Sequence, residues 1–482
     1  MLSDLRFGVR MLAKTPGFSA VAILVLALGI GANSAIFSLV NAMLLKPRPI
    51  ERPGELVGIY HERTTPPGGY RALSYPNYRD LRASAAGFSS LAAHSVTLVG
   101  IGDGTVTRRV FADLVSANIF ETFGSPLALG RAFTPAEEEP GATVPVVIVS
   151  YVYWEREGRN PDILGEAIRV NGDLLTIVGV AGQGFTGSSV VLAPELWLPL
   201  GLYGSTTTDI VGNASQALAE RDNHALFVFG RLGPGRTPEM VAPELEAIAA
   251  RLERAYPDEN EDRTFATAPL SRISVSTSPT TDGQFSALSV LMLAMSGVVL
   301  LIACLNLANM LLARGAARRP EIAIRLSLGG GRGRVVRQLL AEGFVLSAVG
   351  GALGLVAAAW AVGLLVRSIE PVLPFSIAAF DVGVDWRVVT GTLGCAVLGT
   401  VLFGLGPALQ LTRGDILSDL KQQANSDQHR GRGLRSPRNL LIVGQVALSL
   451  TLLTAGGLFL RGAVAASVDR RPGVRVRAGS AA

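Results

Sequence analysis

A helical membrane protein with a large α+β domain inserted between its first two spans is the fold class this sequence predicts, and three observations lead there. Five stretches without a charged residue, at 15–45, 283–313, 343–366, 388–412 and 439–460, are each long enough to cross a bilayer, since about 20 apolar residues rising about 1.5 Å apiece span the hydrocarbon. Mean hydropathy is +0.39 with 49% hydrophobic residues, and only 17% of the residues are charged, against about a quarter in soluble domains. Between the first two stretches lie residues 46–282, with 20 basic and 28 acidic side chains. That composition belongs to a water-exposed domain with its own core.

Charge sorts the segments by side. Lys and Arg gather on the cytoplasmic flanks of spans, so Arg6, Arg10 and Lys14 place the N-terminus inside. Alternation then puts 46–282 outside, 314–338 inside, 367–387 outside and 413–438 inside. The two inner connections carry Arg314, Arg318, Arg319, Arg325, Arg332, Arg334 and Arg337, then Arg413, Lys421, Arg430, Arg432, Arg435 and Arg438. Three separate segments therefore agree. The misfit is the tail at 462–482, whose Arg470, Arg471, Arg475 and Arg477 fall outside after five spans. The net charge of +5 is accordingly a topology signal and implies no nucleic-acid partner. The spans themselves are expected at 17–45, 284–313, 339–366, 388–412 and 439–461. A cleaved signal peptide is a poor account of the first, because its apolar region would be about 7–15 residues and this stretch is far longer.

Within 1–16, Met1, Leu5, Val9 and Leu12 recur at helical spacing opposite the basic residues, the pattern of an interfacial helix on the inner membrane surface. In the insert, the β-branched run 144–150 reads as a strand. Residues 167–180 read as two strands joined by Asn171-Gly172, a strong hairpin signal. Residues 225–232 form another strand. Thr237 then caps a helix that begins at Pro238 and buries Val241, Leu245, Ile248 and Leu252, and 264–270 returns as a strand. This βαβ unit is distant in sequence from the hairpin, so two lobes are expected. Tyr75 and Tyr78 fit packed aromatics better than a binding face. Both cysteines, Cys304 and Cys395, lie within spans, so the outer domain folds without disulfides.

Motifs for chemistry are missing from the sequence. No Gly is followed by Lys, which removes the phosphate loop GxxxxGK[ST], and neither GxSxG nor HExxH occurs. His61, His94, His224 and His429 show no metal-ligand spacing. No catalytic residue, bound cofactor or metal is expected. No ionisable residue lies in any of the five apolar stretches, which argues against a charged route through the membrane. The informative segment is 318–329. It opens near Pro320, closes at Gly329, pairs Glu321 with Arg325 at i and i+4, and sets Ile322 and Leu326 on one side. It reads either as a short docking helix or as an ordinary positive-inside loop.

Several segments resemble the permease subunits of MacB- and FtsX-type ABC transporters, and above all the large duplicated orphan permeases with a MacB-like periplasmic core. They are DLRFGVRMLAKTPGF at 4–18, LGIGANSAIF at 28–37, SYPNYRDL at 74–81, LGRAF at 129–133 and Asn171-Gly172 with VGV at 178–180. The run continues with EIAIR at 321–325, Leu328-Gly329, Glu342, GPAL at 406–409 and Leu420-Lys421. The resemblance implies that Arg318, Glu321, Ile322, Ile324, Arg325, Leu326 and Gly329 belong to a coupling helix seated in a groove of a separate cytoplasmic ABC ATPase, which binds the ATP. It also implies a second permease copy or second half, a periplasmic adaptor protein, membrane lipid around the spans and a bacterial inner-membrane location. Duplicated relatives continue past the fifth span with a second core and further spans, so 439–461 resembles the opening of a second half. The expected function is transmission of ATP-driven motion to the periplasmic domain, for efflux or extraction of a hydrophobic compound. The rivals are an FtsX-like signalling scaffold acting on a periplasmic partner, and a nonfunctional truncated half-permease.

Overall fold

The computed structural model describes residues 10, 12–41, 45, 49–102, 107–189, 193–208, 215–271, 276–280, 282–317, 324, 331–369, 389–391, 394 and 437–469. The chain divides into two compact units, one of residues 1–38, 289–362 and 383–482, the other of 39–288 and 363–382.

The second unit is built on one sheet of eleven strands. These are β1 (Leu56–Arg63), β2 (Tyr70–Arg71), β3 (Phe88–Gly102), β4 (Thr107–Val115), β5 (Leu129–Gly130), β6 (Val146–Val149), β7 (Ala167–Val170), β8 (Asp173–Val180), β9 (Leu196–Pro199), β10 (Phe227–Leu232) and β11 (Arg263–Pro269). Their order is β11-β1-β10-β3-β4-β9-β6-β8-β5, with β2 on β1 and β7 on β3 and β8. The sheet runs unbroken through both regions that the sequence assigns to separate lobes. Strand β3 joins them, pairing first with β10 and then with β4.

Both faces of this sheet are covered. Val57, Ile59, Ala93, Val147, Val149, Leu196 and Val228 belong to one apolar cluster, while Leu56, Ala92, Val146, Ile148, Trp197 and Phe229 belong to another. Neighbours along a strand point to opposite faces, so these strands read as continuous apolar runs. The predicted hairpin is present as β7 and β8, with Asn171 at φ 52° and Gly172 at φ 102°, both in the left-handed region that a tight primed turn requires. The predicted helix is Pro238–Ala255, with Thr237 extended before it and Val241, Leu245, Ile248 and Leu252 buried, although the Thr237 side chain makes no capping bond. β10 and β11 flank β1, each antiparallel to it, so the βαβ unit is split by the first strand of the domain. Helix Tyr75–Ser84, capped by Ser74 Oγ accepting from the Asn77 amide, buries Tyr75 and Tyr78 as packed aromatics.

The first unit is helical. We number its helices α1 (Pro16–Val40), α2 (Asp282–Ala317), α3 (Arg332–Ile369) and α4 (Pro437–Asp469). Three of the described helices are long and apolar enough to cross a membrane, with their apolar stretches at Pro16–Val40, Ser289–Met310 and Gly333–Leu364, and α4 carries a shorter one at Ile442–Leu458. The predicted span at 388–412 lies outside the described residues except for 389–391 and 394, which are helical. The predicted interfacial helix lies mostly outside them as well. Its Leu12 is buried with Ala22, Leu26, Ile30, Leu307 and Leu346, and its carbonyl accepts from Ser19 Oγ at 2.9 Å. On α3, Val349, Leu353, Val356, Trp360 and Leu364 are exposed at spacings of three and four. A stripe of that kind on a soluble surface would be an anomaly, and it fits a helix long and apolar enough to cross a membrane.

Candidate functional site

Of the residues expected to dock an ATPase, Ile324 is described: it is helical and 60% exposed. Arg318, Glu321, Ile322, Arg325, Leu326 and Gly329 lie outside the described residues. The described parts are the helical frame of the first unit and the sheet domain of the second.

In the frame, α1 and α3 meet through small residues. A methyl group added at Gly354 would lie 2.9 Å from the Ala27 carbonyl oxygen and 3.1 Å from the Gly31 amide nitrogen, and one at Gly350 would lie 2.8 Å from Leu26 Cβ. Gly350 and Gly354 are one turn apart, so α3 offers a groove without side chains into which α1 settles. Without a hydrophobic drive between helices in lipid, such close backbone approach supplies the dispersion contact that holds them. A methyl group at Gly29 would likewise fall 2.5 Å from Ala303 Cβ on α2.

A second contact in the frame is polar. Gln445 Nε2 on α4 donates to Asn306 Oδ1 on α2 at 2.7 Å, and Asn309 Nδ2 donates to Gln445 Oε1 at 3.4 Å. Sequence reasoning looked for ionisable groups and passed over these neutral amides. Asn306 and Asn309 at i and i+3 were the available signal, since that spacing puts both on one side of a helix.

In the outer domain, the segment following α1 is fastened to the sheet by one buried arginine. Arg231, 8% exposed, donates through Nη2 to the Glu51 carbonyl at 2.7 Å, through Nη1 to Glu55 Oε2 at 3.1 Å and the Arg52 carbonyl at 3.4 Å, and through Nε to the Thr122 carbonyl at 3.1 Å. Below it, the Leu270 amide donates to the Leu56 carbonyl at 3.2 Å. The first and last strands, β1 and β11, are neighbours over seven residue pairs from Val57↔Pro269 to Arg63↔Arg263. The strand nearest α1 in sequence is thereby paired with the strand nearest α2.

A buried relay closes the middle of the domain. His94 Nδ1 on β3 lies 2.8 Å from Asp113 Oδ1 on β4, and Ser188 Oγ lies 3.0 Å from His94 Nε2. In the neutral tautomer that fits, Nδ1–H donates to the carboxylate and Nε2 accepts from the hydroxyl. The order matches nucleophile, base and orienting acid, yet Ser188, His94 and Asp113 are only 3%, 2% and 4% exposed. With all three closed to solvent, the relay pins the loop before β9 to the sheet.

The comparisons with known proteins follow the same division of the chain. Residues 19–248 match the MacB-like periplasmic core domain, and residues 293–416 match the FtsX-like permease C-terminal domain. The chain is a MacB/FtsX-type ABC transporter permease. Among similar proteins are the pyoverdine export ATP-binding/permease protein PvdT of Pseudomonas syringae, 25% identical over 67% of this chain and 44% of that one, and the macrolide export ATP-binding/permease protein MacB of Chromobacterium violaceum, 24% identical over 61% and 40%. An ABC transporter permease of Bacillus subtilis, YknZ, is 23% identical over 61% of this chain and 65% of its own. The permease thus spans less than half the length of the ATP-binding/permease relatives it matches. A solved permease domain from Porphyromonas gingivalis covers 49% of this chain and 98% of that one at 15% identity and a TM-score of 0.35. The expected docking segment, 318–329, falls inside the part of the permease that matches the FtsX-like domain.

Proposed function

We propose that this permease couples a separate cytoplasmic ABC ATPase, which binds the ATP, to movement of its periplasmic domain, and that the work done is efflux or extraction of a hydrophobic compound. The N-terminus and the segment 318–329 are cytoplasmic in this reading, and Glu321, Ile322, Ile324, Arg325 and Leu326 face the ATPase. A second permease copy or second half, and a periplasmic adaptor, complete the assembly.

The observation that carries the reading is the pairing of β1 with β11. A shift of the first span and a shift of the second are delivered to neighbouring strands at one edge of a single continuous sheet. Arg231 passes the first of these shifts on to β10 and to the turn at Thr122. Support also comes from this sequence, which has charge-free spans and contains no phosphate loop, as a permease driven by a separate ATPase would.

The test is a double replacement, Ile322→Asp with Arg325→Glu, in the permease reconstituted with its cognate ATPase. Stimulation of ATP hydrolysis by the permease should disappear while membrane insertion stays normal. Undiminished stimulation would remove the coupling assignment.

A further inference from the structure

The far end of the β1–β11 ladder carries a group of cations that the coupling function does not use. Register places them on one face. His61 stands opposite Arg71 on β2 and Phe265 on β11, and Arg63, two residues along, stands opposite Arg263. Partners directly across a ladder, and residues two apart on a strand, project to the same side. Arg63, Arg71 and Arg263 therefore share a face with His61, and the His224 ring lies 6.4 Å from the His61 ring.

Like charges opposed on neighbouring strands repel, and Glu259, near Arg71, offsets only part of the charge. Among the described residues none of the three arginines has a carboxylate within 4.0 Å. Arg71 donates to His61 Nδ1 at 3.1 Å and to the Glu259 carbonyl, and Arg263 donates to the Gly69 carbonyl at 2.9 Å. These bonds hold the Arg71 and Arg263 guanidinium groups in place through neutral acceptors, which do not cancel their charge.

A further atom of the cluster also lacks a partner. His224 Nδ1 is buried without a hydrogen-bond partner, a costly state for a polar atom. The repulsion is felt throughout. Burial, then Arg263 and Arg63, push Arg71 down to about 10, with Glu259 opposing, while burial and then Arg63 lower Arg263. Burial and then Arg71 bring His61 down to about 2 and His224 to about 4, Asp222 opposing at His224.

We propose that this face is an oxyanion site, in which Arg63, Arg71 and Arg263 take a phosphate group and the Nδ1–H tautomer of His224 supplies a further donor. Planar guanidinium forks match the oxygens of such an ion, and a dianion would cancel the opposed charges. The source is either free phosphate or a phosphorylated headgroup, because both present the same oxygens.

The experiment uses the full chain in a non-ionic detergent at pH 7.5. Inorganic phosphate is titrated against thermal unfolding, with sodium chloride at equal ionic strength as control. Short-chain phosphatidic acid forms a second arm. Wild-type protein should be stabilised saturably by phosphate and not by chloride. Arg63→Gln and Arg263→Gln should each weaken the apparent affinity at least tenfold. Arg63 has no described side-chain hydrogen bond to lose, so its variant tests charge without disturbing the fold, and Arg63→Lys, which keeps the charge and loses the fork, should bind more weakly than wild type and more tightly than Arg63→Gln. Much tighter binding of phosphatidic acid than of phosphate assigns the site to a lipid headgroup, and equal binding assigns it to the free ion. Stabilisation that chloride reproduces, or that survives both glutamine variants unchanged, overturns the proposal.

Discussion

Replacing Gly354 with Ala tests the helix packing in the frame with a single methyl group. That methyl would sit 2.9 Å from the Ala27 carbonyl oxygen, where ordinary contact begins at 3.4 Å, so α1 and α3 must part by about 0.5 Å. Both atoms it meets, Ala27 O and Gly31 N, belong to backbone and cannot rotate away. Overpacking of this kind costs about 1–3 kcal/mol, while Gly to Ala within a helix returns about 0.5–1 kcal/mol. Gly363 lies on the same helix with no atom of the described residues within 4 Å of its added methyl. Gly363→Ala should therefore show only the gain. The difference between the two variants isolates the packing cost of about 1–3 kcal/mol, or roughly 5- to 150-fold in the unfolding equilibrium. The assay is detergent-induced unfolding of the full chain, followed by loss of helicity in mixed micelles. If Gly354→Ala is as stable as Gly363→Ala, the close approach of α1 and α3 is wrong.

Gln445→Leu should destabilise the protein by about 1–2 kcal/mol in the same assay, because it strands the Asn306 and Asn309 amides in an apolar setting. Adding Asn306→Leu should recover part of the loss, since removing both partners spares the unpaired group; an additive double loss would count against the contact. The histidines make a pH prediction. Burial first, and Arg71 second, keep His61 and His224 neutral, at about 2 and about 4 against an ordinary 6.5. Above pH 6.5 neither state binds these protons and stability is full. As pH falls below 6.5 the unfolded chain takes up protons that the folded one refuses, so stability declines by up to about 1.4 kcal/mol per pH unit per histidine, His224 ceasing to contribute near pH 4. Urea unfolding of the outer domain within the full chain should show that slope between pH 6.5 and 4, and its absence in a His61→Gln, His224→Gln variant would confirm the source. A flat wild-type profile would refute it.

What could be read in the sequence was whatever has a local cause. Asn171-Gly172 is legible because both residues tolerate positive φ, and the stripe at Val241, Leu245, Ile248 and Leu252 because one face of a helix is buried. Strand β3 is not legible. Its two faces are both covered, and Ala92, Ala93, His94, Ser95 and Thr97 are all buried, so neither alternation nor a β-branched run marks it. The sites not read were those that only register assembles. Ser188 and His94 are 94 residues apart, and Arg63 meets Arg263 across the whole domain. His61 and His94 look scattered in sequence and prove to be fully enclosed. The docking segment shows the reverse case: its signal lies in sequence alone, through Glu321, Arg325 and Gly329, and geometry adds only Ile324.

The β1–β11 ladder has a mechanical polarity. Val57 and Pro269, which lie toward the first and second spans in sequence, are partners at the same end of an antiparallel pair. A pull that separates the two strands at that end opens the ladder like a zip, one residue pair at a time, beginning at Leu270 and Leu56, whereas opposed pulls along the strands load all seven pairs at once. A ladder of this kind resists shear along its strands more than it resists peeling from the end that Leu56 and Leu270 close.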